Sequence, residues 1–510
     1  MKHIVFASVI TIAGMAARVL AGAISYADFG AVGDGVTDDS AAISRAHEAA
    51  NAKGLPVKAE PGKTYYFGAK ATCAVIRTDT DFTGAKFIID DSHLSAKDRN
   101  TSIFRIEGDS PWQAVKGVGS LKRRQANLGV TLSADSLVLV ENRKVKRYIR
   151  KGLNQDNGHP QRELLRVAAD GTIDPLAPVT WDYDDITTIQ ARPLPQRTLV
   201  VKGGTFITRA NHAESKYTYY KRNLHIERGN TRIEALTHLV EGELDHGAPY
   251  SGFINVNEAA NVVVTGCTLT AHLTYRTIGS AGKPVNMGTY DITVNSSVDV
   301  KFIDCRQTTD ITDNRYWGIM GSNYSKLLAY ERCEFSRFDA HMGVANASIR
   351  NCRIGHVGIN AIGFGTLLVE NTEVLGTHFI SLRPDYGSTW EGDCVFRNCT
   401  WRPPHAKAKR LNIIGCWNPG DHDFGYVCHL PEKVVVDGFK VCDGRLAKAG
   451  DYEGVYLFAD YAHGVKREKM SFPCTVPREA EVKGFSSESG RPIKSTMTPS
   501  SFPGLDFKVR

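Results

Sequence analysis

The sequence predicts an all-β protein folded as a right-handed parallel β-helix, in which short strands coil around one long core. A phrase of alternating apolar and polar residues recurs through the middle of the chain, and each copy is expected to form a strand with one buried face. Its copies end at Cys267, Cys305, Cys333, Cys352, Thr372 and Cys399. The gaps of 38, 28, 19, 20 and 27 residues are typical of coils of three short strands whose turns can grow outward.

Weaker copies of the phrase begin at Leu199, Val434 and Glu481. Because stacked copies place their Cys and Thr side chains one above another, we expect these thiols to be buried and unreactive. The other cysteines are Cys73, Cys394, Cys416, Cys428, Cys442 and Cys474. In an exported protein, a pair among these six is a candidate disulfide.

The first 23 residues resemble a secretory signal. Lys2 and His3 precede an apolar run that ends in Leu20-Ala-Gly-Ala23, a small-residue cleavage site. A membrane anchor is the alternative, although Gly14 and Arg18 interrupt the run. We therefore expect a mature chain of residues 24–510, secreted or periplasmic, with no membrane segment after the signal is removed.

The next stretch predicts a turn and then a helix over Ala41–Ala52 that ends at Gly54, with a small apolar face suited to cover the open end of a solenoid. The sequence Asp28-Phe-Gly-Ala-Val-Gly-Asp-Gly-Val-Thr-Asp-Asp39, followed by Ser-Ala-Ala-Ile, resembles the amino-terminal signature of the pectate-lyase-superfamily β-helix proteins. That group includes rhamnogalacturonase-like enzymes, epimerase-like proteins and phage tailspikes. The resemblance implies the fold and leaves the reaction open.

The coil pattern is lost between about 110 and 195, where short alternating strands predict a small β-rich insertion. Its basic run, 143–151, either clamps substrate or is a strand edge protected by charge. The coil resumes near Leu199. Residues 448–510 are expected to supply the last coils and a carboxyl-terminal cap.

The composition is that of a globular, turn-rich protein, with 42% hydrophobic residues and 47 glycines. A net charge of +7 favours an acidic ligand weakly. Nucleic acid is not predicted, because no nucleic-acid motif accompanies the charge. Neither Cys/His spacing nor an acidic cluster predicts a metal, although calcium is not excluded.

A second strand is predicted before copies of the repeated phrase, and six such stretches share one pattern. They begin at Phe253, Asp291, Trp317, Asp339, Ile359 and Phe379. Positions two and four are mainly apolar, so positions one and three are expected to face solvent. This alignment places Asp291, Trp317, Asp339 and His341 on one exposed sheet, with Arg383 further along it.

Two reactions suit these residues. Asp291 and Asp339, two coils and therefore roughly 9 to 10 Å apart, suit the acid and base of an inverting hydrolase, with Trp317 as a sugar platform. β-Elimination at a uronic acid instead needs a base, a cation and an acid. The candidates for these three roles are His341, Arg383, Arg315, Tyr316 and Tyr386. The predicted substrate-binding residues are Trp317, Arg315, Tyr316, His356, Asp385 and Tyr386.

The sequence thus predicts a secreted enzyme that cleaves a polysaccharide, with an acidic glycan and β-elimination favoured. Inverting hydrolysis is the alternative reaction, and a non-catalytic glycan-binding or adhesion module is the alternative class of protein. Polygalacturonase-type enzymes carry Asn-Thr-Asp, Gly-His-Gly and Arg-Ile-Lys motifs. Here Gly355-His356 is followed by Val357, and the other two motifs are absent, so no catalytic residue is carried over from that group.

Overall fold

A computed structural model gives the structure of residues 22–69, 72–150, 157–279, 282–404, 407–418, 422–448, 450–461 and 474–510. Strands of successive coils pair in parallel and form one continuous hydrogen-bonded sheet. Because each coil turns corners, we describe this sheet as three long parts, which we call sheets A, B and C. The chain is a right-handed parallel β-helix, which confirms the predicted fold. The predicted signal segment lies outside the described residues except for its last two.

Sheet A carries the repeated phrase. Its strands are Ile24–Ser25, Val57–Lys58, Thr80–Asp81, Leu199–Lys202, Thr231–Glu234, Ala260–Thr265 and Val298–Ile303, the last parts of Met320–Glu331, Glu334–Arg350 and Arg353–Glu370, the first parts of Trp390–Trp401, Lys433–Val441 and Glu479–Ser487, and Asp506–Val509.

Sheet B follows sheet A around a tight corner. It contains Asp34–Asp38, Thr64–Phe67, Lys86–Asp90, Thr205–Arg209, Thr237–Glu241, Thr268–Leu269, Arg306–Gln307 and Glu373–Val374, the first parts of 334–350 and 353–370, and the last parts of 390–401, 433–441 and 479–487.

Sheet C closes each coil. It contains Ala74–Ile76, Phe104–Ile106, Leu224–Ile226, Ser251–Asn257, Tyr290–Asn295, Ile380–Leu382, Arg410–Gly415 and Gly454–Phe458, the first part of 320–331 and the middle parts of 334–350 and 353–370.

The predicted ladder of cysteines is present at the corner between sheets A and B. The strand pairs on either side of Cys267 and Cys305 are in register, and the same register continues through Cys333, Cys352, Thr372 and Cys399. All five thiols are buried and free, and Cys333 donates its backbone N–H to Cys352 Sγ at 3.3 Å. Among the described residues no disulfide is formed, so the structure does not show the candidate bridge within the remaining six cysteines.

The predicted helix spans Ser40–Lys53 and ends at Gly54, whose φ of 64° closes the last turn. Its buried face includes Ile43 and His47, and Asn51 Nδ2 donates to Val75 O in the first strand of sheet C. The helix therefore lies against the first coil. That it covers the whole open end of the solenoid stays a prediction.

Residues 113–193 contain a separate antiparallel sheet of Gln113–Ala114, Ser136–Arg147, His159–Val167 and Thr188–Pro193, here called the insertion. A buried ion pair joins it to the coil, because Lys326 Nζ lies 2.6 Å from Glu163 and donates to Pro178 O at 2.6 Å. The two ends of the basic run 143–151 lie in different surroundings. Lys144 is exposed and pairs with Asp185, whereas Tyr148 and Arg150 reach the outer face of sheet C.

The carboxyl-terminal part continues the coil through Gly454–Phe458, Glu479–Ser487 and Asp506–Val509. Two short pairs lie outside the three sheets, Arg276–Ile278 with Pro284–Asn286 and Cys428–His429 with Cys474–Thr475. Among the residues described, no helix is both long enough and apolar enough to cross a membrane.

Candidate functional site

The strands of sheet C set which side chains face outward, and their register differs from the predicted one. Ile292 pairs with Met320, two residues beyond its predicted partner, and Ala340 pairs with Ser322, four residues beyond its predicted partner. Shifts of two or four residues keep side chains on the same face, so alternation alone cannot detect them. The next copy is shifted by one, since Ala340 pairs with Ala361, and register shifts interrupt this strand pair.

Asp291 does not lie on the exposed face, so its prediction as an exposed catalytic acid is wrong. Its carboxylate is fully buried, with Oδ1 2.7 Å from His238 Nδ1 and 3.7 Å from His272 Nε2. His272 also contacts Glu243 at 3.0 Å. Burial opposes ionisation, but the two histidines outweigh it and lower the pKa of Asp291 to about 2. This group, named the inner network, is closed to substrate.

Asp339 points away from the core but is also fully buried, which contradicts the prediction that it is exposed. Arg383 Nη1 donates to both its oxygens at 3.1 and 3.2 Å, and Arg337 Nη2 forms a further ion pair. A carboxylate held by two guanidinium groups and shielded from water is a poor proton carrier. Its role in this geometry is to position Arg383.

Arg383 joins Asp339 to a second carboxylate. Its Nε and Nη2 donate to Asp385 Oδ1 and Oδ2 at 3.1 and 2.9 Å, a bidentate pair. Arg150 from the insertion approaches Asp385 to 3.6 Å. Burial would raise the pKa of Asp385, but the Arg383 guanidinium holds it below the ordinary value. Asp385 is therefore ionised at neutral pH.

His341 lies beside this pair. Asn323 Nδ2 donates to Asn295 Oδ1 at 2.8 Å, so Asn323 Oδ1 is free to accept from His341 Nδ1 at 3.0 Å. That hydrogen bond assigns the ring proton to Nδ1 and leaves the Nε2 lone pair directed toward Asp385 Oδ2, 3.9 Å away. Burial, aided by Arg383, lowers the pKa of His341 to about 4, so the imidazole is neutral at pH 7.

Tyr148 of the insertion and Tyr386 of the coil pack together beside the imidazole of His341. Tyr386 lies edge-on to His341, with ring centroids 5.3 Å apart, and Arg150 lies over the Tyr386 ring at 5.5 Å. Tyr148 packs against Tyr386 and over Gly343, where any side chain would collide with its hydroxyl. Burial raises the pKa of Tyr386 to about 12, so it stays protonated.

A third tyrosine, Tyr290, lies on the outer face of sheet C. A Cβ on Gly321 would come within 2.9 Å of its ring, so only glycine lets the ring lie flat on the sheet here. Arg337 approaches the Tyr290 ring at 5.9 Å and the Trp317 ring at 5.4 Å. Trp317 is half-buried and contacts the site through Arg337, so it is not the open platform that was predicted.

The remaining predicted residues lie elsewhere. Arg315 pairs with Asp313 at 2.5 Å within its own loop, and its side chain is 73% exposed. His356 is held between Ile311 O and Tyr316 O at 3.1 and 3.2 Å. In the part of the chain that the structure describes, neither these residues nor Tyr316 contact His341, Arg383 or Asp385.

Sequence reasoning missed Asn323, Arg337, Tyr290 and Arg150. Asn323 carried a signal, because asparagine ends the sheet C strands at Asn257 and Asn295 as well. Arg150 was not named as a site residue, but it belongs to the basic run 143–151 of the insertion, for which substrate clamping was one of the two predicted roles. Within the described ranges, no group of three or more His, Cys, Asp or Glu side chains is arranged to hold a metal ion.

The site therefore combines a neutral imidazole with an open Nε2, protonated tyrosines and three guanidinium groups against two carboxylates. The excess of one positive charge favours an anion such as a carboxylate beside Arg150. The outer face of sheet C from Arg105 to Arg383 is called the groove below.

No family model matches the chain, and no curated protein matches its sequence. Solved structures do match it. The tailspike protein gp49 from Pseudomonas phage LKA1 is 12% identical, with a TM-score of 0.55 over 95% of this chain and 84% of that chain. The tailspike gp61 of Pseudomonas phage phi297 is 12% identical, with a TM-score of 0.52 over 91% and 80%.

The gp54 tailspike of Acinetobacter baumannii bacteriophage AP22, solved in complex with A. baumannii capsular saccharide, is 11% identical. Its TM-score is 0.51 over 96% of this chain and 79% of that chain. At these identities the likeness establishes the fold, which is the β-helix that the amino-terminal resemblance implied.

Proposed function

We propose that this protein binds a polysaccharide along the groove and cleaves it by β-elimination at a uronic acid residue. The observation that carries the proposal is the hydrogen bond from His341 to Asn323, which leaves a neutral Nε2 beside Arg383 and Arg150. The complex of the AP22 tailspike with a capsular saccharide supports a glycan as ligand.

In this mechanism His341 Nε2 removes the proton next to the uronate carboxylate, and the electron pair forms the new carbon–carbon double bond. Arg150, whose side chain is 37% exposed, neutralises the carboxylate, and Arg383 adds positive charge behind it. The bond from the sugar to the glycosidic oxygen breaks, and the Tyr290 hydroxyl donates a proton to that oxygen. The products are an unsaturated uronate and a new sugar end.

Inverting hydrolysis through Asp291 and Asp339 has lost its support, because both carboxylates are closed to the water that such a reaction requires. Non-catalytic glycan binding is the second candidate. It is favoured by one observation, that only 23% of the His341 side chain is exposed in this structure.

A screen of polygalacturonate, alginate, hyaluronan and neutral glycans tests the proposal. Ultraviolet absorbance of the unsaturated product and reducing ends should rise together on one or more acidic glycans. Reducing ends without absorbance would mean hydrolysis, and binding without either would make the protein a glycan-binding module.

We also propose that the protein is exported. The signal-like residues 1–23 support this, and mass spectrometry of the mature amino terminus tests it. An intact Met1 in the exported fraction, or retention in membranes, would favour the membrane anchor instead of a cleaved signal.

A further inference from the structure

A polar cavity lies in the groove, separate from the His341 site and nearer to the amino-terminal end of the coil. Its volume is about 550 Å³, within the range of small-ligand sites. Residues of four successive sheet C strands line it, among them Arg105, His225, Asn255 and Asn295, together with Lys221 and Asn223. It contains none of the residues of the elimination mechanism.

His225 is held at both ring nitrogens. Asn255 Nδ2 donates to Ser251 O and to Thr293 Oγ1, so its Oδ1 accepts from His225 Nδ1 at 2.5 Å. The other ring nitrogen, Nε2, lies 2.9 Å from Glu227 Oε1. These contacts fix the ring in the wall of the cavity.

One cation at the cavity has no carboxylate partner. Arg105 is paired with Glu227 and Glu107, which lie 3.3 and 2.6 Å from its Nη2. Lys221 is exposed, and no carboxylate of the described chain pairs with its ammonium group. It is therefore available to an anion in the cavity.

Asn223 gives an independent sign of a ligand. Its side chain is only 3% exposed and lines the cavity, and its Oδ1 has no hydrogen-bond partner within the described residues. A buried acceptor without a donor costs about 1–3 kcal/mol. A hydroxyl group of a bound sugar would supply the missing donor.

The floor of the groove is continuous between the two sites. Asn295 lines the cavity, and its Oδ1 accepts from Asn323, the residue that orients His341. Ile226 lies next to His225, and Ala340 lies next to His341. Four successive strand pairings connect Ile226 to Ala340, by way of Val256, Val294 and Ser322. At ~4.8 Å a step, the two histidines are separated by roughly 19 Å along the coil.

On the basis of the function proposed above, we propose that this cavity is a distal subsite that binds an acidic sugar residue of the same polysaccharide through Lys221. A sugar ring in a linked chain advances by about one coil spacing. A chain that reaches both sites thus has about four or five residues, and shorter oligosaccharides occupy only the His341 site.

The test uses the acidic polysaccharide that the wild type cleaves best in the screen, cut into oligomers of about three and about eight residues. Lys221→Ala should raise KM for the long oligomer on the order of tenfold, as for loss of a charged hydrogen bond, with kcat unchanged. KM for the short oligomer should not change. Lys440→Ala, an exposed lysine of the strand Lys433–Val441, is the matched control.

A second measurement separates charge from shape. Long oligomers whose carboxylates have been reduced to alcohols should bind wild type and Lys221→Ala with equal affinity. An unchanged KM for the long oligomer in Lys221→Ala, or an equal loss on both lengths, would overturn the subsite while leaving wild-type cleavage intact. If the wild type cleaves no acidic glycan, the proposed function itself fails.

Discussion

The inner network and the His341 site each contain a fully buried aspartate and a histidine. The pKa of the histidine is nevertheless raised in the inner network and lowered in the His341 site. His272 faces Asp291 and Glu243, and although burial opposes the charge, these carboxylates raise its pKa to about 9. His341 is buried beside Arg383 and Arg150 as well as Asp339 and Asp385, and its pKa falls to about 4. The neighbouring charges therefore make the first imidazole a structural cation and the second a neutral base.

The comparison also separates stability from chemistry. Asp291 and the two histidines of the inner network are buried, so we expect them to act on the fold, whereas His341 and Arg150 are partly exposed in the groove. Substitutions in the inner network should therefore change the free energy of unfolding, and substitutions at the His341 site should change kcat or KM.

Asp291→Asn should have the largest effect. It leaves the His272 charge with one carboxylate instead of two, and breaking a buried ion pair costs about 3–5 kcal/mol. Denaturant unfolding should show this loss, while kcat per folded molecule stays at the wild-type value. A large fall in kcat at full stability would restore Asp291 as a catalytic residue.

His341→Ala should reduce kcat by about 10² or more, the usual contribution of a general base, with unfolding free energy close to wild type. His356→Ala is the matched control, since His356 lies in a separate loop between two backbone carbonyls. Equal activity in both variants would assign the base to another group.

The fold followed from the sequence more fully than the site did. Alternation and the cysteine ladder identify which strands stack, because each copy must bury the same face on its neighbour. The site depended on the register of sheet C, where shifts of two and four residues in the partners of Ile292 and Ala340 preserve the alternation. Register shifts within Glu334–Arg350 then change which residues face outward.

Burial of the two aspartates was also beyond the sequence pattern. Asp339 faces outward as predicted, but Arg337 and Arg383 cover it, and Arg383 comes from the strand after next. Arg150 reaches the same site from an insertion more than a hundred residues away in sequence. Contacts between such distant segments follow from tertiary packing and leave no local signal.

The pH dependence of stability should distinguish the two histidines. Because the folded pKa of His272 is raised to about 9, its stabilisation is complete below pH ~6.5 and lost as pH rises to about 9, by at most about 3 kcal/mol. For His341 the effect of pH is reversed, because its folded pKa is lowered to about 4. As pH falls from ~6.5 toward about 4, the unfolded chain binds the proton more readily than the folded one, so the fold loses stability. Melting temperatures across this range should decline on both sides, and His272→Gln should flatten the alkaline side alone.

Asn323→Leu should have an intermediate effect on activity and little on binding. Leucine keeps the volume but cannot accept the Nδ1 proton, so the imidazole loses the contact that fixes its tautomer. We expect kcat to fall on the order of tenfold, by analogy with loss of other orienting partners of histidine, with KM unchanged. Asn323→Asp, which keeps the acceptor, should recover most of the activity; failure to do so would mean that the asparagine only fills space.

Arg315→Ala should have the smallest effect, and it tests the boundary of the site. Arg315 was a predicted substrate-binding residue, but its guanidinium pairs with Asp313 in an exposed loop, where an ion pair contributes about 0–1 kcal/mol. Both kcat and KM should stay within about twofold of wild type on long and short oligomers, since ~0.4 kcal/mol corresponds to twofold and the Arg315 side chain contacts none of the described residues of the His341 site. Arg150→Ala, the same change at the His341 site, should instead raise KM for uronate chains. A comparable rise in KM for both variants would mean that the polysaccharide leaves sheet C and crosses the loop of Arg315.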